Sequence, residues 1–342
     1  MRLFDRKAAG PTLDLSWTIL KTRLLSKVAL ITAAIAAVTW WIDVGHHGTT
    51  MCGPDGTCYE SADIPSPRTV HTARNQLQLD RWWEVHAALN RSAEVYSAAD
   101  ADLGVGAGRP LVLLGDSITE AWVGTSYGRP SDRSMRVPEV LRDYVSRNPA
   151  KGGNQWRTLV LAISGDQTQH LLWRLMHGEL RPSLSDDEDA VFVVLIGTNN
   201  LGSGHGPEET AAGVTAVAKY LLESTNGRVL LLSVLPRGDG QYMAQFCPPR
   251  CDSEGKPFDS FMPDVKLVNN RLDELARTLS KIHQERFRHV DCGAPFHGDD
   301  GYGKSGGVKK SLMPDLLHPN AQGHVMLLKC IMDCAERDQC GD

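Results

Sequence analysis

The sequence predicts an α/β protein, a three-layer α/β/α sandwich in which helices cover both faces of a parallel sheet. Short runs rich in leucine and β-branched residues recur along the chain, and apolar strands of this kind are typical of sheets buried on both sides. Segments with helical periodicity lie between the runs, and this alternation favours parallel strands joined by right-handed crossovers. The predicted strands are residues 111–114, 158–163, 191–196, 229–234 and 289–291.

Three segments between these strands have apolar residues at helical spacing. They are residues 168–178, residues 208–223, which follow a Pro207 at a position that favours helix starts, and a segment from about 264 to 282. In a parallel sheet flanked by helices, the loops after the carboxyl ends of the strands form the active site. Catalytic side chains are therefore expected where the predicted strands end.

The composition is that of an ordinary globular protein. The chain has 342 residues, a net charge of −5 and 42% hydrophobic residues, which is enough apolar material for a full core. No basic stripe runs through its body, so nucleic acid is not a predicted partner. Its oligomeric state does not follow from these features.

A transmembrane signal-anchor is predicted at residues 28–44. Residues 28–42 carry no charge, which is short for a bilayer span, but the run continues to residue 44 and Lys27 can extend its ammonium group toward the headgroups. Two consecutive tryptophans near its end are typical of a membrane interface. A cleaved signal peptide is the alternative, although the long charged leader and the bulky residues at the end of the run do not fit a cleavage site.

The segments on either side of the anchor complete the predicted organisation. Residues 1–27 are mainly basic, and the positive-inside rule places this tail in the cytosol and the rest of the chain across the membrane. Residues 45–78 are rich in Gly, Pro, Ser and His and are predicted to be a stem, followed by the folded domain at residues 79–337. We therefore expect a single-pass membrane protein whose domain lies in the secretory-pathway lumen or outside the cell, or a secreted protein if the segment is cleaved.

The cysteines favour disulfides in an oxidising compartment, because an even number of them lies on the non-cytosolic side of the anchor. Cys330 and Cys334 are four residues apart on a predicted helix, so each is expected to pair elsewhere. Zinc is the alternative, but no CxxC pair supports it, and no metal site is predicted. Asn90 begins a possible glycosylation sequon. The eight candidate disulfide cysteines are Cys52, Cys58, Cys247, Cys251, Cys292, Cys330, Cys334 and Cys340.

A candidate nucleophile, Ser117, follows the first predicted strand in the sequence Gly-Asp-Ser. Gly115 permits a tight strand-to-helix turn there, and the backbone N–H of Ser117 near a helix start can stabilise an oxyanion. Alone, this tripeptide is as typical of an ordinary turn with a helix N-cap, in which Asp116 braces the turn.

Two more candidates follow the next two predicted strands. Gly165 can present a backbone N–H to the same pocket, and the carboxamide of Asn199 is a neutral donor of the kind that an oxyanion hole requires. Each of them alone is also typical of an ordinary turn. Ser117, Gly165 and Asn199 together are the predicted oxyanion hole.

The predicted general base is His318, three residues after Asp315 and just before the C-terminal helix. This spacing lets the aspartate hold one imidazole nitrogen while the other faces Ser117. Either residue could instead be an ordinary surface residue, but four blocks occur in the required order and three of them follow predicted strands. The residues thus predict a serine hydrolase with Ser117, His318 and Asp315 as its catalytic residues.

These blocks resemble the SGNH (GDSL-type) hydrolases, whose letters name the Ser, Gly, Asn and His found here. Within that class the chain is most similar to the platelet-activating-factor acetylhydrolase catalytic subunits and their bacterial relatives. The resemblance implies a flavodoxin-like fold with a mostly five-stranded parallel sheet, and hydrolysis of short acyl esters without a metal or cofactor. The resembling stretches are RWWEVHAALNRS (81–92), LVLLGDSITEAW (111–122), ISGDQTQHLLWRLMHGEL (163–180), VLIGTNNLG (194–202), LPRGD (235–239) and DLLHPNAQGH (315–324).

The second block departs from the pattern of that branch, which usually reads Asn-x-Gly-Ile-Gly-Gly-Asp. Here Val160, Ala162 and Ser164 replace the asparagine and two glycines, so the choice of substrate is open. The expected substrate is a short-chain ester, an acetyl ester above all, on a glycan or a lipid. The alternatives are a catalytically silent glycan-binding or scaffold relative and an acyltransferase that uses the same Ser-His-Asp site.

Two residues near these blocks are predicted to have no catalytic role. His205, in the glycine-rich loop after Asn199, is expected at the surface beside the pocket. Arg174 is expected to pack or pair structurally on its helix.

Overall fold

Five parallel strands form the central sheet, and their order across it is Trp156–Ala162, Arg109–Gly115, Val191–Leu195, Arg228–Leu232 and Phe287–Val290. In this computed structural model the described residues are 50–52, 58–73, 75–102, 108–147, 156–248, 250–301, 306–337 and 340. All five predicted strands of the sheet are present, which confirms the parallel α/β architecture. Their bounds are β3 Arg109–Gly115, β6 Trp156–Ala162, β7 Val191–Leu195, β8 Arg228–Leu232 and β9 Phe287–Val290.

Helices pack on both faces of the sheet because successive strand side chains point to opposite sides. In β3, Val112 and Leu114 join one buried apolar cluster, whereas Leu111 and Leu113 join the other. The helices are α1 Gln76–Asp102, α2 Ser117–Glu120, α3 Val137–Arg147, α4 Thr168–Arg174, α5 Pro182–Ser185, α6 Thr198–Gly202, α7 Pro207–Ser224, α8 Met262–His283 and α9 Ala321–Arg337. The first cluster includes residues of α1, α4, α7 and α8, and the second includes residues of α3 and α9.

Shorter elements connect this framework. The predicted helix 168–178 is confirmed as far as Arg174, after which the chain continues as a π-helical turn, Leu175–Glu179, that contains Gly178 at φ 110°. Two small antiparallel hairpins are present, β1 Thr50–Cys52 with β2 Cys58–Glu60 and β4 Thr125–Ser126 with β5 Arg129–Pro130.

The segment predicted as a stem is, from Glu60 to Ala73, part of the folded domain. Glu60, Ala62 and Arg68 are buried, and the Thr168 hydroxyl donates to the Ala62 carbonyl at 2.6 Å. The expected boundary at residue 79 falls inside α1. The prediction failed because this segment is held by polar contacts with distant residues rather than by an apolar periodicity.

The N-terminal predictions fall outside the described residues. The tail 1–27 and the anchor 28–44 both lie there. Within the described ranges, no helix is both long enough and apolar enough to cross a bilayer.

Among the residues that the structure describes, three disulfides are present: Cys247–Cys251, Cys292–Cys330 and Cys334–Cys340. The two cysteines on α9 therefore pair away from each other, which confirms that prediction. Cys52 and Cys58 are opposite each other in the register of β1 and β2.

The predicted glycosylation at Asn90 is not supported by its placement. Asn90 lies in the middle of α1, and its side-chain nitrogen donates to the His177 carbonyl at 3.2 Å. A glycan would be attached to this same nitrogen, and the sequon is not in the exposed loop that the prediction requires.

Candidate active site

Ser117 lies just beyond the carboxyl end of β3 and is the first residue of α2. Asp116 caps this helix, because its Oδ1 accepts from the backbone N–H of Ile118 at 3.0 Å. Gly115 is required at the turn: a Cβ there would lie 2.3 Å from the Leu195 carbonyl oxygen. The tight packing of β3 against β7 therefore dictates the glycine before the serine.

Ser117, His318 and Asp315 form one hydrogen-bonded chain. The Ser117 Oγ lies 2.9 Å from His318 Nε2, and His318 Nδ1 lies 2.7 Å from Asp315 Oδ2. A proton on Nδ1 is donated to the carboxylate, so Nε2 is left to accept from the serine hydroxyl. The other oxygen of Asp315 accepts from the backbone N–H groups of Leu317 and His318, at 3.1 and 2.7 Å.

These contacts decide the charge of Asp315. Its partial burial by itself would raise the pKa, but the hydrogen bonds and the charge interaction with His318, together with the two backbone donors, lower the pKa to about 2. Asp315 is therefore a carboxylate at any pH at which a hydrolase is ordinarily assayed.

Gly165 follows β6 in a left-handed conformation, with φ 78°. A Cβ at this position would lie 2.6 Å from the Tyr127 hydroxyl and 2.7 Å from Arg68 Nη2. Arg68 donates to the Gly165 carbonyl at 2.8 Å, to the Ser164 carbonyl at 3.2 Å and to the Tyr127 hydroxyl at 2.9 Å. The backbone of this loop is thus held by a buried guanidinium that the sequence analysis missed, because Arg68 lay in the expected stem.

Asn199 lies in α6, shortly after β7, and its side chain contacts two aspartates beneath the cleft. Its Nδ2 donates to the Asp166 carbonyl at 2.9 Å and to Asp116 Oδ2 at 3.1 Å. Burial raises the pKa of Asp116 to about 7, and the nearby charge of Asp166 adds to this increase. Because both hydrogens of the Asn199 amide have acceptors, this group must turn from one of them to contact an oxyanion.

A buried ionic cluster lies under these residues, consisting of Asp166, Arg174, Glu179 and His86. Arg174 Nε donates to Asp166 Oδ2 at 2.7 Å, and its Nη1 pairs with Glu179. Glu179 in turn contacts His86 Nδ1 at 2.9 Å. Burial alone would lower the pKa of Arg174, but the two carboxylates outweigh it and raise this pKa. The expectation that Arg174 pairs structurally is confirmed.

The predicted site residues line one cleft of about 580 Å³. Ser117, Gly165, Asn199, Asp315 and His318 all contribute to it. His205, which was expected at the pocket's edge, is instead buried and contacts the Glu60 carbonyl. The remaining lining is largely polar: Arg68, Thr72, Gln78, Ser126, Tyr127, Arg133, Ser164, Gly202, Ser203, Arg237, Asp239, Gln241, Gln245 and Leu317.

The sequence profile of the GDSL-like lipase/acylhydrolase family matches residues 113–326. The chain belongs to this family. Platelet-activating factor acetylhydrolase IB subunit alpha1 from Bos taurus is 42% identical over 131 residues, which are 34% of this chain and 52% of that protein. Subunit alpha2 from Gallus gallus is 40% identical over 176 residues, 51% of this chain and 60% of that protein. The chain therefore spans about half of the length of the curated relatives it matches.

A solved structure described as an acylhydrolase, from Bacteroides fragilis, is also similar to this chain. Its TM-score is 0.47 at 18% sequence identity, and the match covers 71% of this chain and 95% of that one.

Ser164 is one of the three positions at which the second block departs from the pattern of the acetylhydrolase branch, and the structure gives it a partner. Its backbone N–H and its hydroxyl lie 2.7 and 2.6 Å from Glu120 Oε2, and Ser126 Oγ lies 3.0 Å from its hydroxyl. Glu120 also accepts from the backbone N–H groups of Tyr127 and Gly128. The serine that replaces a glycine here thus ties the Gly165 loop to the β4–β5 hairpin.

Proposed function

We propose that this protein hydrolyses carboxylic esters through an acyl-enzyme intermediate. The observation that carries the proposal is the chain from Ser117 Oγ to His318 Nε2 and from His318 Nδ1 to Asp315, at 2.9 and 2.7 Å, inside an open cleft. His318 accepts the serine proton as Ser117 attacks the ester carbonyl, and then donates a proton to the leaving alcohol. Water attacks the acyl-enzyme in the same way and releases the acid.

The tetrahedral oxyanion is stabilised by three donors in this proposal: the backbone N–H groups of Ser117 and Gly165 and the side chain of Asn199. A donor in an oxyanion hole is worth about 100- to 1000-fold in rate, and the two backbone N–H groups need no rearrangement to act, whereas Asn199 must turn from one of its acceptors. The contact of Arg68 with the Ser164 carbonyl at 3.2 Å supports this role, because that carbonyl belongs to the same peptide group as the Gly165 N–H.

The substrate we propose is a short acyl ester, an acetyl ester above all, on a sugar. The relatives' name of acetylhydrolase supports the acetyl group. The cleft supports the sugar, because hydroxyl, carboxamide and guanidinium groups dominate its lining and, among the described residues, Leu317 is its one aliphatic side chain of any length. A lipid acyl chain would leave such polar groups without hydrogen-bond partners.

The test compares wild type with Ser117→Ala on p-nitrophenyl acetate. We expect the variant to lose activity by about a millionfold, to the background rate, with an unchanged thermal unfolding temperature. A fluorophosphonate probe should label wild type at Ser117. Unchanged turnover in the variant would disprove the assignment, and a folded wild type that is neither active nor labelled would favour the catalytically silent alternative. Acyl transfer is detected by adding acceptor sugars and measuring acetylated products.

We also propose that residues 28–44 anchor the chain in a membrane, with residues 1–27 in the cytosol and the hydrolase domain in the lumen or outside the cell. The three disulfides support an oxidising compartment for that domain. Protease protection of intact microsomes is the test: the domain should be protected and the tail digested. Release of a soluble domain lacking residues 1–44 would instead support a cleaved signal.

A further inference from the structure

Arg133 lies at the mouth of the cleft, in a turn that follows the β4–β5 hairpin, and its side chain is exposed. Its Nη1 is 2.9 Å from both ring nitrogens of His318, and its Nη2 donates to Ser126 Oγ at 3.2 Å. Within the described ranges no carboxylate forms an ion pair with it. The guanidinium therefore faces the reacting groups without a carboxylate in direct contact with it.

His318 offers Arg133 no free hydrogen-bond acceptor, because both of its ring nitrogens already have partners. His318 Nδ1 directs its proton to Asp315, and the lone pair of Nε2 is already occupied by the Ser117 hydroxyl. A cation beside the ring also opposes the positive charge that the imidazole acquires during ester hydrolysis. This arrangement is unfavourable for catalysis. A substrate group that draws the guanidinium away from His318 would therefore bind to the cleft and, by the same contact, make His318 a better general base.

The other two arginines of the cleft differ in this respect. Arg237 makes a bidentate pair with Asp239, at 2.6 and 3.1 Å, and Arg68 is directed to the backbone carbonyls of the Gly165 loop. The lining has three arginines against two carboxylates, Asp239 and Asp315, which leaves an excess of one positive charge. This excess occurs in a chain whose net charge is −5.

We propose that Arg133 binds a carboxylate on the substrate, and that the preferred substrate is an acetylated acidic sugar. The proposal rests on the ester hydrolysis proposed above. A planar guanidinium matches a carboxylate in a bidentate geometry, and Ser126, Gln241 and Gln245 provide partners for the sugar hydroxyls. Binding of the carboxylate removes the cation from the imidazole, so the same contact increases affinity and relieves the unfavourable charge next to His318.

The test uses two esters that differ in one group, mono-O-acetyl glucuronic acid and mono-O-acetyl glucose. We expect wild type to prefer the acidic sugar by tenfold or more in kcat/KM, and this preference to shrink as salt is added. Arg133→Gln should lose the preference and hydrolyse the neutral sugar faster than wild type does, and Arg133→Lys should keep part of it. The matched control is Arg129→Gln. It removes an exposed charge from β5, next to the turn of Arg133 but outside the cleft, and this variant should retain the full preference.

A binding measurement separates failure of this inference from failure of the proposed function. In the Ser117→Ala background, calorimetry should show tighter binding of the acidic sugar, with a tenfold loss when Arg133→Gln is added. If this holds but wild type hydrolyses neither ester, the acidic-sugar site stands and the proposed function fails. If the neutral ester is hydrolysed and neither assay shows an Arg133-dependent preference, the function stands and this inference is wrong. An Arg133-dependent preference for an acetylated phospholipid over both sugars would also overturn it.

Discussion

The site has a buried floor and an exposed rim, and the pKa of a carboxyl group is raised in the floor and lowered on the rim. The floor consists of Asp116, Asp166, Arg174 and Glu179, all of them buried, whereas Asp315 on the rim has a side chain 44% exposed. Burial raises the pKa of Asp116 to about 7. On the rim, partial burial is outweighed by hydrogen bonds and charge from His318, which lower the pKa of Asp315 to about 2.

The difference indicates that the rim carries out the proton transfers, whereas the floor holds the loops in place. The rim can exchange protons with substrate and water because its groups are reached by solvent. The floor is sealed, and its polar atoms contact the loops that carry the oxyanion donors: Asp166 follows Gly165, and its carbonyl accepts from Asn199. We therefore expect changes in the rim to reduce catalysis without unfolding the protein, and changes in the floor to reduce stability as well.

After the loss expected for Ser117→Ala, the largest effect is expected at the rim, in Asp315→Asn. The amide no longer holds His318 in the tautomer that accepts from Ser117, and in other serine hydrolases this change costs about 10,000-fold in kcat. The variant should still fold, with a moderately lower melting temperature, because the amide keeps an oxygen for the backbone donors but loses the charge that His318 stabilises. The control is Asp132→Asn, an exposed carboxylate on the turn of Arg133. If Asp315→Asn keeps most of the activity, His318 is oriented by something other than this carboxylate.

The next effect is expected in the floor, in Arg174→Met. Removing the guanidinium leaves Asp166 and Glu179 as buried charges without their cation, which typically costs about 3–5 kcal/mol of unfolding free energy. Urea denaturation measures this loss. Arg181→Met is the control, since Arg181 pairs with a largely exposed Glu94 at 3.8 Å and such pairs contribute about 0–1 kcal/mol. Equal stability losses in the two variants would contradict the distinction between floor and surface.

Asn199 connects the two regions, so Asn199→Ala shows which of them it serves. As an oxyanion donor its loss should lower kcat by about 100- to 1000-fold with little change in KM. Because its nitrogen also donates to Asp116 and Asp166, some loss of stability is expected too. Asn226→Ala, at an exposed turn, serves as the control. A loss of stability with unchanged kcat would assign Asn199 to the floor alone.

The same division explains what the sequence could predict. The five strands and the clustering of Ser117, Gly165, Asn199 and His318 in one cleft follow from apolar periodicity and from short motifs, which are local in the chain. Arg68 could not be found in this way, since it acts on a loop almost a hundred residues away. Nor could the exposure of Arg133 beside His318, because no local pattern indicates which of several arginines lacks a carboxylate.

The smallest effect we predict is a change in the pH dependence of stability at Asp116. Its pKa is about 7 in the folded protein and about 4 when unfolded, so between these values the folded state binds the additional proton. Stability from this group is therefore highest below pH 4 and falls as the pH rises toward 7.

Asp116→Asn removes this titration but also loses the acceptor for Asn199, so the informative quantity is the pH slope rather than the stability at one pH. Between pH 5 and pH 8 we expect the unfolding free energy of wild type to fall by about 2–3 kcal/mol more than that of the variant, since about two pKa units separate pH 5 from the folded pKa and each corresponds to ~1.4 kcal/mol. Denaturant titrations at both pH values measure the difference, and Asp132→Asn should keep the wild-type slope. Parallel slopes in wild type and Asp116→Asn would mean that Asp116 is ionised in the floor throughout this range, with its charge balanced by the donors around it.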